Sequence, residues 1–359
     1  MSPNPSTVGR GMRLGEEQAA IESINTSGAS LYCGDSLKYY SQWEPPTVII
    51  SDGAYGILGF QGDTADHSEI ASWYENHIIA WSKYALPSTT LWFWNSEIGW
   101  ANVHPILERY GWKYVNANIW NKGKTHIAGN VNTAKIRRFP VVTEICVQYV
   151  FNPTIAGLDL QHWLIAEWQR SGLPLKKANE ACGVKDVAVR KYLTKDHLWY
   201  FPPAEMFAKL VSFANTFGDQ KGRPYFSQDG VTPMTAEEWS MMRAKFHCPV
   251  GFTNVWDRPP LKGSERIKVP GSNKAAHLNQ KPSDLMKMLI SASSDEGDVV
   301  WEPFGGLFSA SLAAVQMNRK AYGAEIIPAY YNLALKRFDS VSQSETTALQ
   351  PSETLEKRF

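Results

Sequence analysis

Gly297-Asp298-Val299-Val300-Trp301-Glu302-Pro303-Phe304-Gly305-Gly306-Leu307-Phe308-Ser309 decides how this chain folds. Val299 to Trp301 is a short apolar strand pattern. It runs into a Pro- and Gly-containing turn, and the turn opens a helix pattern over Ala310–Met317. A second strand pattern, Ala321–Gly323, follows and ends at Glu325. Strand, turn, helix and strand in this order form a unit whose two strands lie parallel. Glycines in such a turn let the backbone approach a ligand, and an acid at the end of the next strand can bind ribose hydroxyls. The turn is neither G-x-G-x-x-G nor a Walker A loop, which argues against a dinucleotide or a nucleoside triphosphate.

The same alternation appears upstream. Ala29–Cys33 reads as a strand ending at Gly34-Asp35-Ser36, where Asp35 is placed to cap the turn Leu37–Tyr40. Thr47–Ile50 is a buried strand pattern that leads into Ser51-Asp52-Gly53-Ala54-Tyr55-Gly56. A helix pattern covers Ile70–Tyr84, a continuous apolar strand Thr89–Trp94, a helix His104–Tyr110, and further strands Tyr114–Trp120 and Val141–Val150. Strands alternating with helices predict an α/β fold with a largely parallel sheet. In such sheets ligands bind at the carboxyl ends of the strands, which draws attention to Asp52. Asp, Gly and Tyr at a strand exit also suit an ordinary turn.

Composition narrows the class. The chain has 359 residues, 43% hydrophobic and 20% charged, enough for one large domain or two smaller ones. No apolar run approaches the roughly 20 residues of a membrane span, and the polar N-terminus carries no signal-peptide pattern. Cys33, Cys146, Cys182 and Cys248 are scattered, which disfavours a zinc site or a disulfide framework and suits a reducing cytosol. The net charge of +1 says nothing about nucleic acid, but local charge does. Asn121–Arg138 carries Lys122, Lys124, Lys135, Arg137 and Arg138 with no acid, as phosphate contacts require. A solvated loop would have the same composition. Glu144, inside the next strand, is either near the site or a satisfied structural acid.

Residues 153–253 change character, with short helices between polar connections. Leu175–Leu193 pairs an apolar-patterned helix with a Gly183-Val184 turn and a segment bearing Lys185, Arg190 and Lys191. It resembles a helix-turn-helix, whose second helix can enter the major groove, although Asn179 stands where a small residue is usual. A structural helical hairpin is the alternative. Pro203–Phe217 reads as an amphipathic helix. After Val255-Trp256-Asp257-Arg258-Pro259 and a basic loop come His277-Leu278-Asn279-Gln280-Lys281-Pro282 and a helix Ser283–Ala292. A last helix covers Tyr330–Phe338. Residues 1–28 and 341–359 read as flexible ends.

Together these motifs resemble the amino-group DNA methyltransferases that use S-adenosylmethionine. Asp52 to Tyr55 matches the family's D-P-P-Y-like motif, Glu302 to Ser309 its D-P-F-x-G-x-G-S, His277 to Pro282 its H-P-N-Q-K-P-like motif, and Val255 to Pro259 its V-W-x-x-P. With the catalytic motif first and the cofactor motif last, the order is that of the permuted β class. The resemblance covers about 30–340. It implies a permuted Rossmann-like α/β sheet with helices on both faces and a mostly helical target-recognition insertion. Residues 29–152 and 254–340 would form the catalytic domain and 153–253 the insertion.

The resemblance also implies roles. Asp52 and the Gly53 carbonyl would accept the hydrogens of an exocyclic amino group, with Tyr55 stacked on a flipped-out base. Glu302 would lie near the methionine end of the cofactor, with Phe304, Gly305 and Gly306 along its loop and Glu325 on the ribose. Asp35, His277, Asn279, Gln280 and Lys281 would complete that pocket. Double-stranded DNA would be the partner, and the resemblance allows a homodimer and a cognate restriction endonuclease. Asp at the first motif position points to adenine N6. N4 of cytosine is the alternative within the family. Three departures stand out: Gly53-Ala54 replaces Pro-Pro, Glu302 replaces Asp, and Phe308 replaces Gly and is expected to narrow the cofactor loop. They leave open a DNA-binding homologue without catalysis.

Overall fold

The computed structural model describes residues 23–26, 28–56, 63, 66–124, 137, 139–185, 189–219, 222–248 and 250–348, with side chains to 338. Its elements in chain order are β1 (Ser23–Thr26), β2 (Ala29–Cys33), β3 (Val48–Ser51), α1 (Ile70–Tyr84), β4 (Thr90–Asn95), α2 (Glu97–Arg109), β5 (Trp112–Asn121) and β6 (Thr143–Phe151). A small hairpin, β7 (Thr154–Ile155) and β8 (Leu158–Asp159), opens the helices α3 (Leu160–Arg170), α4 (Leu175–Cys182), α5 (Ala204–Phe217) and α6 (Ala236–Ser240). Then come β9 (Val255–Asp257), α7 (Ser283–Ser293), β10 (Val299–Glu302), α8 (Ser309–Val315), β11 (Lys320–Glu325) and α9 (Pro328–Ala348).

Nine of the described strands form one large sheet in the order β1-β2-β11-β10-β3-β4-β6-β5-β9, apart from the β7-β8 hairpin. The central run from β2 to β4 is parallel throughout, and β6 runs antiparallel to both neighbours. The central strands are buried on both faces, as parallel strands covered by helices must be. Alternation along β3 shows it: Val48 and Ile50 join one core with α7, α8 and α9, while Ile49 joins the other with α1 and α2. Leu91 and Phe93 of β4 likewise face α1 and α2, and Trp92 and Trp94 face the opposite layer. Helices therefore lie on both faces of an α/β sheet. No helix among the described residues is long and apolar enough to cross a membrane.

The helical segment between β6 and β9 has a core of its own. The Trp239 ring stacks on Phe207 at 4.3 Å and on Phe201 at 4.4 Å. In the same segment, Glu167 is buried and takes ion pairs from Arg170 at 2.7 Å and Arg223 at 2.6 Å.

Several boundaries differ from the sequence reading, each for a local reason. α2 starts at Glu97, not His104, because Ser96 caps it through the Gly99 amide at 3.1 Å and Pro105 sits inside the helix. Residues 23–26 are not a flexible lead-in; they pair antiparallel with β2. The last helix begins at Pro328 and continues to Ala348, into the segment read as a flexible tail. Of the helix-turn-helix reading, α4 and its left-handed Gly183 cap are present. Of the expected second helix, the described residues include the 3₁₀ turn Arg190–Tyr192, with Val189 and Tyr192 in the local core. Residues 186–188 lie outside the described residues.

Phe308 is a further correction. It does not narrow the cofactor loop. It adopts a left-handed backbone, φ 52°, directly before α8, and its ring is fully buried beneath the turn. A Cβ built on Gly305 would lie 2.4 Å from that ring, and one built on Gly323 would lie 2.7 Å from it. Glycine at both positions makes room for the aromatic ring, whose burial offsets a backbone strain of about 1–3 kcal/mol. Gly323→Ala should therefore destabilise the fold by about 1–3 kcal/mol through overpacking. Urea denaturation checks this, and an unchanged midpoint would show that the ring can yield.

Candidate active site

Parallel pairing of β10 with β3 sets Val300 opposite Val48 and Trp301 opposite Ile49. Both strands point the same way, so the two turns that leave them emerge side by side. Between these turns lies a cavity of about 360 Å³, within the range of small-molecule sites. Every residue expected for catalysis or the cofactor lines it: Asp52, Gly53 and Tyr55 on one side, and Asp35, His277, Asn279, Gln280, Lys281, Glu302, Phe304, Gly305, Gly306 and Glu325 around the rest. Trp73 and His77 of α1 complete a wall that the sequence reading did not assign. Their only signal there was helical aromatic spacing, which core packing explains equally well.

The glycine turn is held by two buried carboxylates. Glu325 accepts the Gly306 amide at 2.6 Å and the Ile327 amide at 2.8 Å. Glu302 accepts the amides of Ala310 at 3.0 Å and Ser311 at 2.6 Å. Glu302 lines the cavity, but both of its oxygens are bound to the first turn of α8, where a carboxylate also suits the helix dipole. Its shown work is to fix the turn, one carbon longer than the Asp it replaces. Burial pushes both carboxyls up to about 7, against the amides that favour their ionised forms. Asp35 caps the 3₁₀ turn Ser36–Lys38 through the Leu37 amide at 3.0 Å and also lines the cavity. Gln280 is tied to the preceding loop, accepting the Ile267 amide at 3.1 Å and donating to the Glu265 carbonyl at 3.2 Å. Burial pushes the His77 imidazole down to about 4, so the α1 wall is neutral.

The Asp52 turn is held by side chains from elsewhere. The Ala54 carbonyl accepts from Asn95 at 2.9 Å and from the Tyr74 hydroxyl at 3.2 Å. Asp63 Oδ1 accepts the amides of Tyr55 at 2.9 Å and Gly56 at 2.8 Å. Gly53 has no room for a side chain: a Cβ there would lie 2.6 Å from the Phe304 ring and 2.7 Å from the Tyr74 hydroxyl. This is how the turn keeps its shape without two prolines. Asp63, Tyr74 and Asn95 were not singled out from the sequence, because each reaches the turn only through the fold.

Asp52 itself is engaged. Its Oδ1 accepts from Lys281 Nζ at 2.7 Å and from the Tyr55 hydroxyl at 2.9 Å. Lys281 lines the cavity as expected, and its ammonium lies on the Asp52 carboxylate. It is also 3.4 Å from Glu144. Burial works against this ammonium, but Asp52 and Glu144 raise its pKa above the ordinary lysine value. The other Glu144 oxygen pairs with Lys122. Glu144 therefore stands behind Lys281, one ion pair away from Asp52, with both oxygens facing lysines, and Lys122 is not an exposed loop cation. Lys124, Arg137, Lys185, Arg190 and Lys191 are exposed. Lys135 and Arg138 lie outside the described residues. Among the described residues no cluster of His, Cys, Asp and Glu side chains could hold a metal ion.

The raised carboxyls make stability depend on pH. Glu302 and Glu325 hold protons in the fold that they would lose at about 4.3 when unfolded. The folded state therefore binds more protons across this interval, and stability falls as pH rises from about 4.3 to about 7. In Glu325→Gln this fall should be smaller. Urea midpoints at about pH 5 and about pH 8 test it, and an equal fall in both proteins would refute the assignment.

Residues 46–336 match the DNA methylase family N6_N4_Mtase. The chain is 38% identical over 89 residues to DNA adenine methyltransferase YhdJ of Escherichia coli strain K12, covering 25% of this chain and 28% of that protein. It is 33% identical over 88 residues to Type II methyltransferase M.HpaI of Haemophilus parainfluenzae, covering 24% of this chain and 26% of that protein. Each match thus spans little more than a quarter of the relative's length. The structure of PvuII DNA methyltransferase, described as cytosine-N4-specific, superposes with a TM-score of 0.50 at 15% identity, covering 92% of this chain and 94% of that one. That likeness concerns the fold. The family match extends from just before β3 into α9, through both turns of the cavity, and the chain belongs to the N6/N4 DNA methylase family.

Proposed function

We propose that this protein transfers a methyl group from S-adenosylmethionine to the exocyclic amino group of a base in double-stranded DNA, with N6 of adenine as the target. The observation that carries the reading is the single cavity shared by Asp52 and the Glu325-bound glycine turn. A nucleoside-bearing cofactor fits this cavity. Glu325 and Asp35 offer acceptors for its hydroxyl and amino groups, Gly305 and Gly306 let it approach the backbone, and His277 and Asn279 line the same space. When bound, S-adenosylmethionine supplies a sulfonium methyl already activated for displacement.

The protein's part concerns the nucleophile. An aromatic amino group shares its lone pair with the ring and is planar. It must become tetrahedral as it attacks. Acceptors fixed toward its hydrogens stabilise that tetrahedral state more than the planar one. Asp52 and the Gly53 carbonyl are the pair this reading uses. Both line the cavity, and no hydrogen bond among the described residues falls on the Gly53 carbonyl. A base in a duplex cannot reach that depth, so the reading requires a flipped-out base, with the Tyr55 ring as its stacking partner.

The exposed Lys124, Lys185, Arg190 and Lys191 serve as phosphate contacts, and residues 153–253 as the region that reads base edges. Asp at the first motif position supports adenine, as does the likeness to a DNA adenine methyltransferase. Treating mixed-sequence duplex DNA with the protein and S-adenosylmethionine should give N6-methyladenine. Mapped N4-methylcytosine would overturn the adenine assignment. Asp52→Ala should lower the transfer rate by about 10²-fold or more while cofactor binding, read by calorimetry, persists. Retained activity would remove Asp52 from the mechanism.

A further inference from the structure

Lys281 comes to Asp52 from 229 positions away in the chain. Its neighbour Pro282 caps α7, so the helix fixes its backbone. Its ammonium sits between two carboxylates, 2.7 Å from Asp52 and 3.4 Å from Glu144. The rings of Trp94 and Tyr55 lie 5.1 Å and 5.5 Å from it. Only 5% of the residue is exposed. Lys122 holds the far oxygen of Glu144. Charges therefore alternate along Lys122, Glu144, Lys281 and Asp52, and the chain carries no net charge into the interior. This matters because an unpaired buried charge is costly.

The distribution of bonds on Asp52 is uneven. Lys281 and the Tyr55 hydroxyl both take Oδ1. No hydrogen bond among the described residues falls on Oδ2. We propose that Lys281, backed by Glu144, is a positioning residue for methyl transfer. With Tyr55 it pins Asp52 through one oxygen and leaves the other for the substrate amino group. The pin fixes the carboxylate rotamer, so the acceptor does not reorganise as the amino nitrogen becomes tetrahedral. Glu144 holds the far side of the same ammonium. Asp52 is also faced electrostatically by Tyr74 of α1, Cys146 of β6 and His277 of the loop before α7.

The inference rests on the methyl-transfer reading, and its test separates the two. The unaltered chain is compared with Lys281→Met, Lys281→Arg and Glu144→Gln, using duplex DNA and S-adenosylmethionine. Lys281→Met should lower kcat by about 10²-fold, with cofactor affinity changed by less than about threefold. Lys281→Arg should recover part of the loss, since it keeps the charge. Glu144→Gln should lower kcat by a smaller factor, because it loosens the ammonium without removing it. A graded loss of kcat at unchanged cofactor affinity, partly rescued by arginine, is not expected of a lysine that only supports the fold. An unchanged kcat in Lys281→Met, or a loss confined to cofactor affinity, overturns the proposal and returns Lys281 to the cofactor wall. A second measurement needs neither catalysis nor a folded Lys281→Met. In ¹³C-lysine-labelled protein, with the Lys281 signal assigned by Lys281→Arg, the Lys281 titration midpoint should fall in Asp52→Asn. The same midpoint in Asp52→Asn and the unaltered chain would show that the pin does not exist.

Discussion

Val300 lies opposite Val48, and Trp301 opposite Ile49, in a parallel register between β10 and β3. Most of what is distinctive in this protein depends on that pairing. A parallel neighbour cannot be reached by a hairpin, and here the two strands come from opposite ends of the chain. Their exits differ in chemistry. One delivers a carboxylate on a short turn and the other a glycine turn that opens a helix. Placed side by side they enclose one cavity, with the two helical layers closing the sheet on either face. The same pairing sets Phe304 over Gly53, so the two turns pack against each other as well as facing the same space.

The cavity concentrates buried charge, and the structure handles it in two ways. On the glycine-turn side, Glu302 and Glu325 each receive two backbone amides, and burial still raises both carboxyls. On the Asp52 side, Asp52 and Glu144 are neutralised by lysines in an alternating chain. The difference follows from geometry. A helix N-terminus and a glycine turn offer free N–H groups that suit a carboxylate. The end of β3 offers none to Asp52, so a side chain must come from elsewhere.

Much of this was legible in the sequence. Short apolar runs pointed to the strands, and the order of motifs to the two halves of the cavity. Ile70–Tyr84 and the start of α7 at Ser283 were read at their observed bounds because periodicity and flanking residues agreed. Boundaries were lost where a local signal pointed the wrong way. The helix pattern that starts at His104 missed the Ser96 cap; α2 begins at Glu97 and holds Pro105 inside it. Phe308 was expected at the cofactor because glycine is usual there; its ring instead fills the space that Gly305 and Gly323 leave open.

The sequence by itself determined the α/β class, the motif order and the identities of Asp52, Glu302, Glu325 and the H-x-N-Q-K-P residues. These are local in sequence: short runs whose residue types limit the backbone or the chemistry. Only the tertiary structure decided which atoms those residues touch. It placed Lys281 on Asp52 rather than against the cofactor side alone, drew Lys122 and Glu144 into the same chain, and supported the Gly53-Ala54 turn with Asp63, Tyr74 and Asn95. The physical reason is that hydrogen bonds and ion pairs act over about 3–4 Å, while these partners are separated by up to 229 residues of chain. Nothing in a residue's neighbours along the sequence records a contact that the sheet register creates.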